Sequence, residues 1–249
     1  MIDLGARIAG PGYEAGPRVI VLAVIARRLR LRLGRRRPVR LGALRRTTPI
    51  SDHWGADRGQ PIDRYYIERF LAEHAGDIRG RVLEVMDRRY TERFGRAVSQ
   101  SDVLDVDAGN PAATIVADLT AADGVPGESF DCFVLTQTLQ FVYEVEAAIR
   151  QAHRLLAPGG VLLATVPVVS KIDRHAGVEG DFWRFTAASA QRLVGSVFGE
   201  EWVRVRAYGN VLAAIGFLAG LAREDLGERE LDVEDERFPV LVAVRAEKR

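Results

Sequence analysis

Between Gly80 and Phe198 short apolar runs alternate with segments of helical spacing, and that alternation leaves few folds open. RVLEVM (Arg81 to Met86), AVSQSD (Ala97 to Asp102), ATIVADL (Ala113 to Leu119), FDCFVLTQ (Phe130 to Gln137) and VLLATVPV (Val161 to Val168) read as strands. WVRVRAYG (Trp202 to Gly209) and PVLVAVRA (Pro239 to Ala246) bring the number to seven. Helical spacing appears in PIDRYYIERFLAEHAGDI, where Pro61 suits a first turn and Ile62, Tyr66, Phe70 and Leu71 fall near one face. It recurs along Val142, Val145, Ile149, His153 and Leu156, and in TAASAQRLVGSVF with Thr186 as N-cap. Nearly continuous apolar strands separated by helices imply an α/β fold, a mostly parallel sheet covered on both faces.

Composition bounds the rest. With 249 residues, 47% of them hydrophobic, the chain can bury a sizeable core in one large α/β domain or two small ones. Its single cysteine, Cys132, excludes an intramolecular disulfide, suits a reducing cytoplasm, and sits among apolar neighbours as a core thiol would. A net charge of +1 gives no general bias towards nucleic acid. Arginines crowd Arg27 to Arg46 and acids crowd Glu224 to Glu236, while lysine occurs only at Lys171 and Lys248. That arginine preference, with abundant Ala and Gly, points to a GC-rich bacterial genome. VIVLAVIA (Val19 to Ala26) falls short of the roughly 18–20 apolar residues that span a bilayer, so a cytoplasmic protein without a transmembrane segment is expected. Residues 1–58 read as an arm with a basic helix, and residues 59–249 as the main domain. A helical insertion at about 210–230, VLAAIGFLAGLAREDL, is expected to be a lid or a homodimer surface. The arginine helix fits a solvated face or a dock for an anionic partner.

Three segments carry a family resemblance. SFDCFVLTQTLQFVYE, HRLLAPGGVLLATVP and DFWRFT, in this order, resemble the fourth strand, the helix–turn–strand and the following D-x-W-R-F-T element of class I S-adenosylmethionine-dependent methyltransferases of the type 11, small-molecule group. The resemblance covers about half of the chain. It implies a seven-stranded Rossmann-like sheet with strand seven antiparallel, S-adenosylmethionine as cofactor, no metal, and a small-molecule acceptor. Methyl transfer to a hydroxyl of a sugar or secondary metabolite is the expected activity, with a biosynthetic enzyme as a possible partner.

The same resemblance assigns positions. Glu84 lies in the first strand, Met86 ends it and Asp87 follows, Asp102 (with Asp105 as competitor) ends the second, Asp118 and Leu119 follow the third, and Gln137 leaves the fourth towards the methionyl end. Glu84 also stands out physically, since a carboxylate inside an apolar strand needs a partner. The polar loop SKIDRHAGVEGDFWRF offers His175 as a general base, because an imidazole titrates near neutrality. Tyr65, Tyr66, Tyr143, Asp181, Trp183 and Arg184 are the expected substrate-side residues. One departure is plain: Met86, Arg88 and Tyr90 stand where the family's turn carries three glycines, residues that permit positive φ and close approach of backbone to cofactor. Two readings follow: a rearranged turn that still binds S-adenosylmethionine, or a fold retained for cofactor-free catalysis or a non-catalytic role.

Overall fold

The computed structural model describes residues 42–174 and 176–249, so the basic helix and His175 lie outside the described residues. Two compact units are present, Met1–Thr47 and Thr48–Arg249. The described part of the first holds a single 3-10 turn, Gly42–Leu44. The second takes in residues 48–58 along with the domain expected from 59 onward.

Its centre is a seven-stranded sheet of order β3-β2-β1-β4-β5-β7-β6. The strands are β1 (Gly80–Val85), β2 (Val98–Asp105), β3 (Ile115–Val116), β4 (Phe130–Thr136), β5 (Leu156–Pro167), β6 (Val203–Tyr208) and β7 (Leu241–Glu247). Strands β1 to β5 pair in parallel, and β7 inserts antiparallel between β5 and β6. The five principal helices are α1 (Ile62–Glu73), α2 (Arg89–Phe94), α3 (Val145–Leu155), α4 (Ala187–Phe198) and α5 (Val211–Ala219).

The period of two in a strand explains how one sheet feeds two cores. Leu83, Phe133, Leu135, Leu162 and Val242 face one way and pack with Ile149 and Leu155 of α3 and Val194 of α4. Their neighbours Val82, Cys132, Val134, Leu163 and Ala243 face the other way, against Ile62, Tyr66 and Phe70 of α1 and Phe217 of α5. Both faces being covered is the reason the strands lack a polar alternation. Helix α4 starts where Thr186 predicts it: the Thr186 hydroxyl accepts from the Ser189 amide at 3.1 Å, and Ser189 Oγ accepts from the Thr186 amide at 3.0 Å.

Several boundaries depart from the sequence reading: β5 begins at Leu156, ahead of the expected Val161, and β3 is reduced to Ile115–Val116. β2 runs three residues beyond Asp102, to Asp105, because its polar first half (Ser99 and Gln100 are exposed) disguises a strand whose buried part is Asp102 to Leu104. The apolar insertion is not one helix from Val211 to Leu226. It stops at Ala219, where Gly220 takes φ +78° and closes the helix with its amide directed at the carbonyls of Gly216 and Phe217.

That stop has a packing consequence. A Cβ on Gly220 would come within 2.0 Å of the Ser51 carbonyl oxygen, so glycine is needed both for its dihedral and for the close approach. Around it the segment after α5 buttresses residues 50–61. Ile50 N donates to Ala219 O at 2.7 Å, Arg223 N to Gln60 O at 2.7 Å, and Arg58 pairs with Asp225 at 2.6 Å. Gly220→Ala therefore combines left-handed strain with a backbone clash. Urea denaturation should show a loss of about 2–4 kcal/mol, whereas an unchanged midpoint would mean that Ser51 yields at no cost.

Candidate functional site

A parallel sheet of this order reverses direction of growth between β1 and β4, and the ends of those two strands leave a crevice that helices do not fill. A cavity of about 560 Å³ opens there. Met86 after β1, Gln137 after β4 and Pro167 at the end of β5 line it at the sheet. Asp63 and Arg64 from the first turn of α1, with Trp54 ahead of it, line a second side. Ser170, Lys171, Asp181 and Arg184 from the loop after β5 line a third.

The turn after β1 is held from below by Glu84. Its side chain is 2% exposed and accepts from the amides of Tyr90 and Thr91 at 3.1 and 2.8 Å and from Thr91 Oγ1 at 2.7 Å. It thus caps the first turn of α2, where a carboxylate meets the unpaired amides of a helix start. Burial pushes its pKa up, and the hydrogen bonds from Thr91 and Tyr90 oppose that shift. The partner demanded by a carboxylate in an apolar strand is therefore α2, and Glu84 does not line the cavity.

Above it, Met86 has φ 70°. The backbone keeps the left-handed conformation that glycine would take there, at a cost for a non-glycine residue of about 1–2 kcal/mol. Its amide donates to Leu104 O at 3.1 Å and its carbonyl accepts from Asn110 Nδ2 at 2.7 Å, so the conformation is imposed from both sides. Tyr90 is buried, with its hydroxyl bound by Arg64. Asp87 is tied to its neighbour Arg89, whose Nε lies 2.7 Å away; burial raises its pKa and Arg89 more than offsets that, leaving it below the usual range.

Gln137 leaves β4 with φ 48°. Its side-chain Nε2 is buried and has no hydrogen-bond partner, and the same holds for Oε1 of Gln140, one turn later. Such orphaned groups cost about 1–3 kcal/mol each. They mark positions where a ligand's polar atoms gain most. Asp181 and Arg184 form a two-pronged pair, Nη1–Oδ1 at 2.5 Å and Nη2–Oδ2 at 2.9 Å, that fastens the loop after β5.

Other expected residues lie elsewhere. Asp102 is inside β2, not at its end. It is held by Arg81 Nε at 2.8 Å, Gln100 Nε2 at 2.9 Å and Thr114 Oγ1 at 3.2 Å. The acid at the end of β2 is Asp105, which accepts from Asn110 Nδ2 at 2.6 Å. Asp118 is exposed and accepts from the amide and hydroxyl of Thr120 at 2.7 and 2.8 Å, while Leu119 is buried in the core. Tyr65 and Tyr66 turn away from the cavity: Tyr65 donates to Asp232 at 2.8 Å and the fully buried Tyr66 to Leu231 O at 2.9 Å. Tyr143 stacks on Trp183 with centroids 5.8 Å apart, outside the cavity lining, and Trp183 Nε1 donates to Val142 O at 3.0 Å.

What the sequence reading missed is Asp63, Arg64, Gln140 and Trp54. In α1 the buried stripe of Ile62, Tyr66, Ile67 and Phe70 leaves Asp63 and Arg64 on the side that meets the cavity. Burial raises the pKa of Asp63, and the neighbouring Arg64 guanidinium and amide only partly counter it. Arg64 N donates to its Oδ1 at 2.8 Å. Among the described residues no group of three or more His, Cys, Asp or Glu side chains could hold a metal ion.

Comparison with known proteins finds likeness over part of the sequence and in the fold. Residues 75–164 match the model of the methyltransferase domain. The solved structure of an S-adenosylmethionine-dependent methyltransferase from Mesorhizobium loti is similar to this chain at a TM-score of 0.50 and 18% identity, covering 78% of this chain and 100% of that one. Phosphoethanolamine N-methyltransferase 2 of Haemonchus contortus, solved with phosphomonomethylethanolamine and S-adenosylhomocysteine, is similar at a TM-score of 0.50 and 13% identity, covering 74% of this chain and 52% of that one. No curated protein matches by sequence.

Two measurements probe the cavity walls. Met86→Gly should raise thermal stability by about 0.5–1 kcal/mol, the relieved strain less the glycine's extra entropy in the unfolded chain. Met86→Val should lower it, and the opposite order would mean that Met86 is not held at positive φ. For Asp181, burial raises the pKa, but the Arg184 fork and the Asp173 amide outweigh it and the net shift is downward. A carboxyl with a lowered folded-state pKa stabilises the fold above its unfolded value of about 3.9 and gives up that stability as pH falls from there through the lowered folded-state value. The stability gap between the wild type and Asp181→Asn should be constant from about pH 6 to pH 8 and close below about pH 4.

Proposed function

From the class I S-adenosylmethionine-dependent methyltransferase fold, which this chain shares, we propose that the protein transfers a methyl group from S-adenosylmethionine to a hydroxyl of a small molecule, a sugar or a secondary metabolite. The observation that carries this reading is the cavity at the β1–β4 crevice, whose first turn keeps the glycine-like backbone at Met86 although the glycine is gone. Its volume of about 560 Å³ falls in the range of small-molecule sites.

The residues present fit the cofactor. The turn at Met86 gives backbone access, Asp105 ends β2 where an acid would take ribose hydroxyls, Asp118 and Leu119 follow β3 where the adenine would lie, and the orphaned Gln137 amide suits the carboxylate of the methionyl end. When bound, the cofactor supplies an electrophilic methyl on a sulfonium. The chain's part is to position and to move a proton. Asp63, on the rigid start of α1 and with its proton affinity raised by burial, accepts the proton of the acceptor hydroxyl. Gln140 Oε1 accepts a hydrogen bond from a second hydroxyl of the acceptor and fixes its orientation. Phe141 and Pro167 supply apolar wall. His175, the base expected from sequence, lies outside the described residues.

A second reading has its own observation. Arg88 and the buried, Arg64-bound Tyr90 replace the other two glycines, and Asn110 straps the β2–β3 connection to the carbonyl of Met86. In that reading the fold persists without the cofactor. Calorimetric titration with S-adenosylmethionine and S-adenosylhomocysteine separates the two. Binding that weakens at least about tenfold in Asp105→Ala, with about 2.7 kcal/mol of stabilisation at 100 times the dissociation constant, is expected. Silence at millimolar ligand would favour the second reading.

A further inference from the structure

The two walls that rise on either side of the cavity touch each other through polar contacts that neither core requires. Trp54 Nε1 donates to Ser170 Oγ at 3.1 Å. The Lys171 ammonium lies 3.7 Å from the centroid of the Trp54 ring and 3.3 Å from Asp52 Oδ1. Arg174, largely exposed, pairs with the other oxygen of Asp52. Each wall has its own anchor: residues 50–60 on the segment after α5, and the loop after β5 on the Asp181–Arg184 pair and the Phe185–Pro167 hydrogen bond. The contacts between Asp52–Trp54 and Ser170–Arg174 therefore set only how far apart the walls stand.

Against this attraction the joined state holds unfavourable features in residues that line the cavity. Trp54, on the wall itself, has φ of 55°. Gln137 Nε2 and Gln140 Oε1 are sealed from solvent without a hydrogen bond. Parting the walls would give those atoms water, and a ligand would give them partners. Ionic attraction on one side and orphaned groups on the other make a two-state element that a ligand can bias.

We infer that the Asp52–Trp54 and Ser170–Arg174 contacts form a gate over the cavity, parting to admit ligand and closing behind it. Ion pairs in contact with solvent are screened by salt, and Lys171, Asp52 and Arg174 are all partly or largely accessible, so the gate opens with ionic strength. A gate changes the rates of entry and exit together, and their ratio much less.

The test uses the full chain labelled with 5-fluorotryptophan, the Trp54 resonance being assigned through Trp54→Phe. Raising sodium chloride from about 50 to about 500 mM should move the Trp54 signal towards its position in Lys171→Ala, with Asp52→Asn between the two. The signals of Trp183 and Trp202 serve as internal controls. In stopped-flow experiments with S-adenosylhomocysteine, Lys171→Ala should raise the association and dissociation rate constants by about tenfold each and change the affinity by less than about threefold. A Trp54 signal indifferent to salt and to Lys171→Ala would overturn the gate, as would unchanged rate constants. The probe ligand rests on the proposed function, but the fluorine signal does not. Failure of S-adenosylhomocysteine to bind would count against methyl transfer and leave the gate to be decided by Trp54.

Discussion

The Glu84 carboxylate is the constraint on which the site depends. It lies inside β1, an interior strand of the sheet, and its three hydrogen bonds all go to the first turn of α2. That fixes where the chain must be only a few residues after β1, and so dictates the path of Met86, Asp87 and Arg88 across the top of the strand. A turn of this tightness is where glycine is ordinarily used. Here the pull of Glu84 below, with Leu104 and Asn110 on either side of Met86, holds the left-handed backbone in its place. A buried acid and a short helix thus do the work of an absent residue type.

From that turn the rest of the cavity follows by adjacency. β4 lies beside β1, so Gln137 emerges next to Met86. α1 covers the same strands, so its first turn brings Asp63 and Arg64 to the crevice. The titratable groups there differ in environment. Asp181 is held by a guanidinium that lowers its pKa, whereas Asp63 is half-buried with a backbone amide bonded to it, and desolvation raises its pKa. Separation of this kind between neighbouring acids is what lets one group stay charged as structure while another exchanges a proton.

Most of the sheet was legible because apolar β-branched runs flanked by helices admit little else. All seven strands were found, though β5 begins at Leu156 where Val161 was read, and the antiparallel β7 came through family resemblance. Legibility failed where polarity and burial part company. β2 begins with exposed polar residues, so its end was read at Asp102 instead of Asp105. α2 was not read at all, since six residues with Arg at the start and Gly95 at the end carry no helical periodicity without the cap that Glu84 supplies. Tyr65 and Tyr66 were expected at the cleft because they begin the helix before strand one, which caps the cleft in the resembled fold. The polar pair just before them, Asp63 and Arg64, reaches the cavity, and nothing in a one-dimensional pattern says which side of α1 is open. Gln140 and Trp54 were invisible for the same reason: their significance is a missing hydrogen bond in one case and a contact across more than a hundred residues in the other.

The buttress behind residues 50–61 has a consequence in time. The wall that carries Trp54 is shaped by Gly220, Ala222, Arg223 and Asp225, some 170 positions later in the chain. A ribosome making this protein releases the first five strands, Met86 and Gln137 included, well before it releases those residues. Throughout that interval the nascent chain has the sheet ends but only one properly seated wall. The cavity is therefore a product of completed synthesis, and a chain stalled within α5 would present an open, unshaped crevice to the cell.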